Sequence, residues 1–299
     1  MNFKHKYMFL LPGLLVLLAI LIFPIGFTFR LSLSSWDSFY PGLDFIGLEN
    51  YFRLFTDDSR FWEAFARLSL LSLTTVFLQY IIGFSLALLV WKEIKFQRFF
   101  RVLFLIPMMT TPVIMTVVWR TFFHESLGPV NDFFSLFGMQ PLWLSSEILS
   151  KFTVILVEVW QWTPFIFILC LAALQSLPRS TLEAARMDGA NAWQQAFYIK
   201  IPLMMPVLIV TLLLRLIDAF KVLEVILVMT NGGPGLSTEI IALRISRTAS
   251  EFRELGVAAA MSNYLLILLL LLTLSMFLYN RFIEQHRAKS FNAIGKTSP

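Results

Sequence analysis

"LPRSTLEAARMDGANAWQQAFYIK", residues 177–200, is the stretch whose reading decides how the chain is organised. It is polar and densely punctuated, yet it lies between two strongly apolar runs. Pro178 stops the first run, Ser180 is placed to cap a helix, and Glu183 three residues later completes a capping box. The spacing predicts a short helix over about 181–188. Gly189 then takes the left-handed turn that ends it. Asn191 caps a second short helix through Gln195 and Phe197, and Pro202 opens the next apolar run. The prediction is a compact helical hairpin over 180–200. Ala184, Ala185 and Ala190 keep it thin enough for another surface to approach, while Glu183 and Asp188 each offer a carboxylate to a partner's cation. The residues leave two readings open: an insert for a cleft in another protein, or an interfacial helix on lipid headgroups. Mixed charge and the lack of a basic face argue against the second.

Outward from the hairpin the chain is built for oil. Of its 299 residues 58% are hydrophobic and 14% charged, too little polar surface to cover a water-soluble globule. Six apolar runs, at about 7–33, 66–90, 102–123, 152–176, 201–223 and 256–280, each reach the roughly 20 residues a helix needs to cross a bilayer. Helices are required, because a lone strand leaves its backbone groups unpaired in lipid. The fold class is therefore all-α, a polytopic membrane protein with six transmembrane helices in a single domain over 1–299. The first run is too long for the core of a signal peptide and contains Pro12 and Pro24, so it reads as a retained span. Lys and Arg are denser in the short loops holding Lys95, Arg98, Arg101, Arg179, Arg186 and Lys200 than in the longer loops opposite. That bias places both termini and the hairpin in the cytoplasm.

Several function classes fall away. Cys170 is the only cysteine, so no internal disulfide forms, and His5, His124 and His286 lack the spacing of metal ligands. The net charge of +5 comes from bases scattered beside apolar spans, which suits membrane lipid and not nucleic acid. "SFNAIGKT", 290–297, approaches a phosphate-binding loop, but Ser290 replaces its first glycine and only Ser298 and Pro299 follow, leaving no helix to meet a phosphate. No nucleotide or other cofactor is expected on this chain, and no reactive constellation marks it as an enzyme.

Polar residues inside spans are costly and usually face a cavity or one another. In "VEVWQWTPF" of the fourth span, Glu158, Gln161, Trp162 and Phe165 recur at helical spacing on one face. Carboxylate, amide and aromatic rings together suit a sugar's hydroxyls and C–H faces, and equally suit an interhelical cluster. In "LRLIDAFKVLEV" of the fifth span, Arg215, Asp218 and Lys221 are spaced for a salt-bridge ladder, with Asp218 and Lys221 alternatively facing a cavity. Thr110 and Thr111, between Pro107 and Pro112, predict a kink in the third span.

The hairpin resembles the coupling loop of the permease subunits of carbohydrate-type ABC importers, related to those for maltose and glycerol-3-phosphate. Their EAA motif is matched by Glu183, Ala184, Ala185, Gly189, Ile199 and Ile201-Pro202, the last pair standing where the family prefers Leu-Pro. "FIGLENY" at 45–51, "TNGGPG" at 230–235 and "ELGVAAAMS" at 254–262 resemble further family patterns. The resemblance implies a type I ABC importer permease fold and a non-catalytic subunit of a bacterial plasma membrane. It further implies that the subunit forms half of a pathway for a sugar, oligosaccharide or polyol. It implies four partners: a second permease, homologous or identical, two cytoplasmic ATPase subunits that hold the ATP and Mg, and an extracytoplasmic solute-binding protein. Glu183 would meet a base on the ATPase, and the face around Glu158 would contribute to the substrate path. The alternative is an ion-coupled carrier using Glu158 and Asp218 as ion sites, in which the hairpin has no role.

Overall fold

A computed structural model describes residues 3–37, 42–91 and 95–294, and the described residues are overwhelmingly helical. Pairing of extended segments among them is limited to two isolated bridges, Ser34 with Phe45 and Asp37 with Glu254. The end of the phosphate-loop-like stretch, residues 295–297, lies outside the described residues, as does Lys92.

Five helices are long and apolar enough to cross a membrane, and one bent pair brings the number to six if the pair is counted as a single span. In chain order they are α1 (Phe3–Ser32), a short α2 (Glu49–Thr56), α3 (Ser59–Trp91), the pair α4 (Gln97–Met109) and α5 (Pro112–Phe122), a short α6 (Pro129–Ser135), and α7 (Glu147–Gln175). After these come the hairpin helices α8 (Arg179–Met187) and α9 (Ala192–Gln194), then α10 (Ile201–Ala219), α11 (Glu224–Met229), α12 (Ile241–Ser250) and α13 (Leu255–Ile294).

Two expectations about these helices are corrected. The third span is not one kinked helix: α4 and α5 meet at 94° across Thr110 and Thr111. Pro112 bars the residue before it from the helical region, and Thr111 sits at φ −67°, ψ 126°. Thr110 is extended as well, at φ −87°, ψ 147°, so two consecutive residues leave the helix and the axis swings. The second correction concerns the hairpin's second arm, which is not a separate helix stopped by Pro202. A π-helical segment over Gln195–Lys200 joins α9 to α10, and the apolar helix runs from Ala192 to Ala219. Pro202, which has no N–H to give, directly follows the π-helical segment, and the backbone stays right-handed helical through Lys200 and Ile201, so the rod is not interrupted there.

The chain divides into two compact units, Met1–Ala64 with Ile241–Leu270, and Phe65–Ile240 with Leu271–Pro299. In the first, "FIGLENY" is a clamp. Gly47 takes the left-handed conformation at φ +63°, which lets α2 start immediately behind it. Asn50, buried, then donates from Nδ2 to the carbonyls of Ser32 and Ser34 at 2.9 and 3.0 Å. Tyr51 donates to Ser32 Oγ at 2.8 Å and lies 3.3 Å from Asn263 Nδ2 on α13. The two Asn50 bonds satisfy carbonyls at and just beyond the end of α1. "ELGVAAAMS" is the small-residue face that lets α13 approach: Ala258, Ala259 and Ala260 are buried, and a Cβ at Gly256 would lie 2.2 Å from the Ser34 carbonyl oxygen.

In the second unit the core is α3 against α7. Ala87, Val90, Ile166, Phe167, Cys170 and Leu174 are buried together with Met204 of α10. Gly83 permits the contact, since a Cβ there would come within 2.9 Å of Ile166 Cβ. "TNGGPG" is a turn of left-handed residues, Asn231, Gly232 and Gly235, tied by Thr238 Oγ1 donating to the Gly233 carbonyl at 2.8 Å.

Candidate functional site: a buried ion network and the hairpin

Three spans of the second unit meet around one guanidinium. Arg215 of α10 is 1% exposed. Its Nη2 lies 2.9 Å from Glu158 Oε2 on α7, its Nε 2.8 Å from Gln79 Oε1 on α3, and its Nη1 3.3 Å from Asp218 Oδ2 one turn on. Gln79 closes the triangle by donating from Nε2 to the Glu158 carbonyl at 3.0 Å. The guanidinium also lies 5.1 Å from the centroid of Trp162, a cation–π contact. Asp218 carries the network outward, with its Oδ1 3.3 Å from Lys221 Nζ. A charge taken out of water persists only when its geometry and hydrogen bonds are satisfied, and here each donor edge of the fork has an acceptor.

The predicted residues separate accordingly. Glu158, Trp162, Asp218 and Lys221 line one cavity of about 220 Å³, together with Pro112 and Glu224. Gln161 is 1% exposed, and its Nε2 points at the Thr110 carbonyl, 3.5 Å away, at the break between α4 and α5. Phe165 packs against the α3–α7 core. Both therefore sit outside the cavity wall, although all four residues share one helical face. Gln79 is the member that the sequence reading missed. Its signal was available, an amide alone in the apolar run "TTVFLQYIIG", which in lipid must find a partner.

Replacing Gln79 with Leu removes the acceptor of Arg215 Nε and leaves a buried charged group short of one bond. We expect a loss of about 1–3 kcal/mol, read as a lowered midpoint of thermal unfolding in detergent. An unchanged midpoint would mean that the amide is not part of what holds Arg215.

The hairpin is assembled from two end motifs. Gly189 adopts φ +78°, its N–H bonds the Arg186 carbonyl at 3.1 Å, and the Ala190 N–H bonds the Ala185 carbonyl at 3.0 Å. This is the paired-bond C-terminal motif that needs a left-handed residue where Gly189 stands. Two residues on, Asn191 Oδ1 accepts from Gln194 N at 2.9 Å while Gln194 Oε1 accepts from Asn191 N at 2.8 Å, a reciprocal cap. The first arm departs from expectation. α8 begins at Arg179 with Pro178 before it and no side-chain cap, so Ser180 lies inside the first turn and makes no capping box with Glu183. Pro178 sets the entry at ψ 123°, which starts the helix two residues earlier than expected. Of the alanines, Ala185 is buried beside Leu182, whereas Glu183, Ala184 and Asp188 are exposed. Met187, Trp193 and Tyr198 are exposed as well, with 88%, 74% and 80% of their surfaces open, more apolar area than a hairpin facing water needs.

Comparison with known proteins agrees over nearly the whole chain. Residues 79–288 match the family model described as the inner membrane component of binding-protein-dependent transport systems. The trehalose/maltose transport system permease protein MalF of Thermococcus litoralis is 35% identical over 280 residues, covering 93% of this chain and 94% of that protein. The sn-glycerol-3-phosphate transport system permease protein UgpA of Salmonella typhimurium is 32% identical over 277 residues, covering 91% and 92%. Among solved structures, a chain of a bacterial ABC transporter involved in the import of the acidic polysaccharide alginate superposes with a TM-score of 0.80. It is 24% identical, with 94% of this chain and 96% of that one covered, a likeness of fold.

Proposed function

The chain belongs to the family of binding-protein-dependent transport inner membrane components, as a permease of the carbohydrate ABC importer type, and from that premise we propose how it works. It forms half of a translocation pathway for a sugar, oligosaccharide or polyol, with a second permease, homologous or identical, forming the other half. Two cytoplasmic ATPase subunits dock on the hairpin, and an extracytoplasmic solute-binding protein presents the solute on the opposite face. Both termini lie in the cytoplasm. The chain itself catalyses nothing; nucleotide and Mg belong to the ATPases.

The observation that carries this reading is the hairpin's construction. An ordered turn at Gly189, a reciprocal cap at Asn191 and an exposed face of Glu183, Ala184, Met187 and Asp188 form a rigid, small-residue surface with two carboxylates. Such a surface suits a cleft with a base at its mouth. Because its second arm continues into α10, motion of the hairpin reaches Arg215 and the cavity without crossing a loop. In the cavity Trp162 offers a ring face and Asp218, Lys221 and Glu224 offer hydrogen-bonding groups, the combination that a polyhydroxylated solute uses. Glu158 is held by Arg215 and serves as its anchor, which favours this assignment over an ion site on Glu158.

Glu183→Ala is expected to lower solute uptake at least tenfold in cells, and to lower ATP hydrolysis stimulated by the binding protein in the same proportion. The amount of chain in the membrane should stay unchanged, because an exposed Glu to Ala change in a helix disturbs little. Uptake unaffected by Glu183→Ala and by Asp188→Ala together would remove the hairpin from the coupling path.

A further inference from the structure

Below the hairpin lies a second concavity, which the pathway does not use. A cleft of about 640 Å³ is lined by Arg101 at the start of α4, by Arg179, Glu183 and Arg186 of α8, and by Trp91 at the end of α3. Three guanidiniums face one carboxylate, so the cleft is cationic. Arg101 Nε is buried and has no hydrogen-bond partner among the described residues. Such a lining suits an anion of phosphate size.

A second feature narrows the ligand. An apolar groove of about 670 Å³ runs between α3, α4 and α7, with Ile82, Leu86, Leu103, Phe104 and Phe167 on its walls. Leu86 precedes Trp91 by five residues, Leu103 follows Arg101 by two, and Phe167 precedes Leu174 of the cleft by seven. At about 1.5 Å per residue, those steps are roughly 3 to 10 Å along the same three helices. A free phosphate would leave the groove unfilled, and a zwitterionic lipid would bring a second positive charge to three arginines. We propose that the chain binds one anionic phospholipid, its phosphate on Arg101, Arg179 and Arg186 and an acyl chain in the groove of α3, α4 and α7.

The occupant ties the start of α4 to α8, so membrane charge sets how firmly the hairpin is held against the spans. The lipid site stands without the transport reading; only this effect on the hairpin rests on it. The test is native mass spectrometry of the full chain purified with its bound subunits, delipidated, and titrated with phosphatidylglycerol or phosphatidylcholine of identical chains. Phosphatidylglycerol should be retained roughly tenfold better, since each base near an anionic headgroup contributes about a fivefold factor and Glu183 offsets part of it. Arg101→Gln should lower phosphatidylglycerol retention about fivefold, and Arg101→Gln with Arg179→Gln roughly twenty-fivefold. Ile82→Trp, which fills the groove, should lower retention of both lipids, and millimolar inorganic phosphate should fail to displace phosphatidylglycerol.

Equal retention of the two lipids, no retention by the wild-type chain, or arginine variants that bind as the wild type does would overturn the proposal. So would complete displacement by inorganic phosphate with Ile82→Trp inert, which would leave an anion site with no acyl chain. Uptake measured beside these titrations separates the two claims, because a chain that retains the lipid yet transports nothing refutes the importer reading alone.

Discussion

Arg215→Met is expected to destabilise the chain by about 3–5 kcal/mol and to abolish uptake, the largest single effect that the structure predicts. The reason lies in what remains behind. Glu158 is 3% exposed, and without Arg215 its carboxylate keeps neither the 2.9 Å ion pair nor water. Gln79 simultaneously loses the group its carbonyl accepts from, while Asp218 loses one of its two cations and keeps Lys221. Because an unpaired buried charge is worse than no charge, Arg215→Met combined with Glu158→Leu should recover the greater part of the loss in stability. Uptake should stay impaired in the double variant, since Trp162 loses its cation and the cavity wall loses the charged groups of Arg215 and Glu158. Thermal unfolding followed by tryptophan fluorescence reads the stability of both variants. A single variant as stable as the wild type, or a double variant no better than the single, would show that the ion network is not what joins α3, α7 and α10.

Gly256→Ala should be the most damaging conservative change, costing about 3 kcal/mol or more. The added Cβ would meet the Ser34 carbonyl oxygen at 2.2 Å and Asn50 Nδ2 at 3.2 Å. Neither can yield cheaply. The carbonyl is backbone, and it is fixed by the very amide that stands beside it, at 3.0 Å. Pushing them apart breaks the clamp between the end of α1 and α2. Gly13→Ala is the control: its Cβ would find nothing within 4 Å, and the change should be neutral or slightly favourable, as Ala suits a helix interior better than Gly. Quantified chain in isolated membranes and its resistance to limited proteolysis distinguish the two. Equal levels of the two variants would mean that α13 has room to move away from Ser34.

The reach of sequence reading follows the physics of each feature. Apolar length alone located the five long membrane helices and the bent pair, because a bilayer imposes a minimum run and forbids other backbone arrangements. The turn at Gly189 and the cap at Asn191 were legible because each depends on a local backbone need that few residue types meet. Ser180 misled for the opposite reason: a capping box is only a pattern until the helix start is known, and Pro178 moved that start. Pro107 and Pro112 announced a kink, but its size depended on two consecutive residues leaving the helix, which no single-residue preference specifies. In the buried network the ladder of Arg215, Asp218 and Lys221 lay within one helix and was readable from spacing. Its links to Glu158 and Gln79 join residues 57 and 136 positions away from Arg215, and nothing local encodes them.

The continuity of the hairpin's second arm with the fifth span makes the helix a lever. From Asn191 to Arg215 is about 36 Å of helix at 1.5 Å per residue, in one piece of backbone. A rod of that length tilted by a few degrees at one end displaces the other by about 2 Å, comparable to the clearance of a hydrogen bond. Arg215 thus sits where a small angular input becomes a choice between a closed ion pair and an open one. The six-residue π-helical segment over Gln195–Lys200 lies close to the hairpin end, where a change in winding has the longest arm to act through.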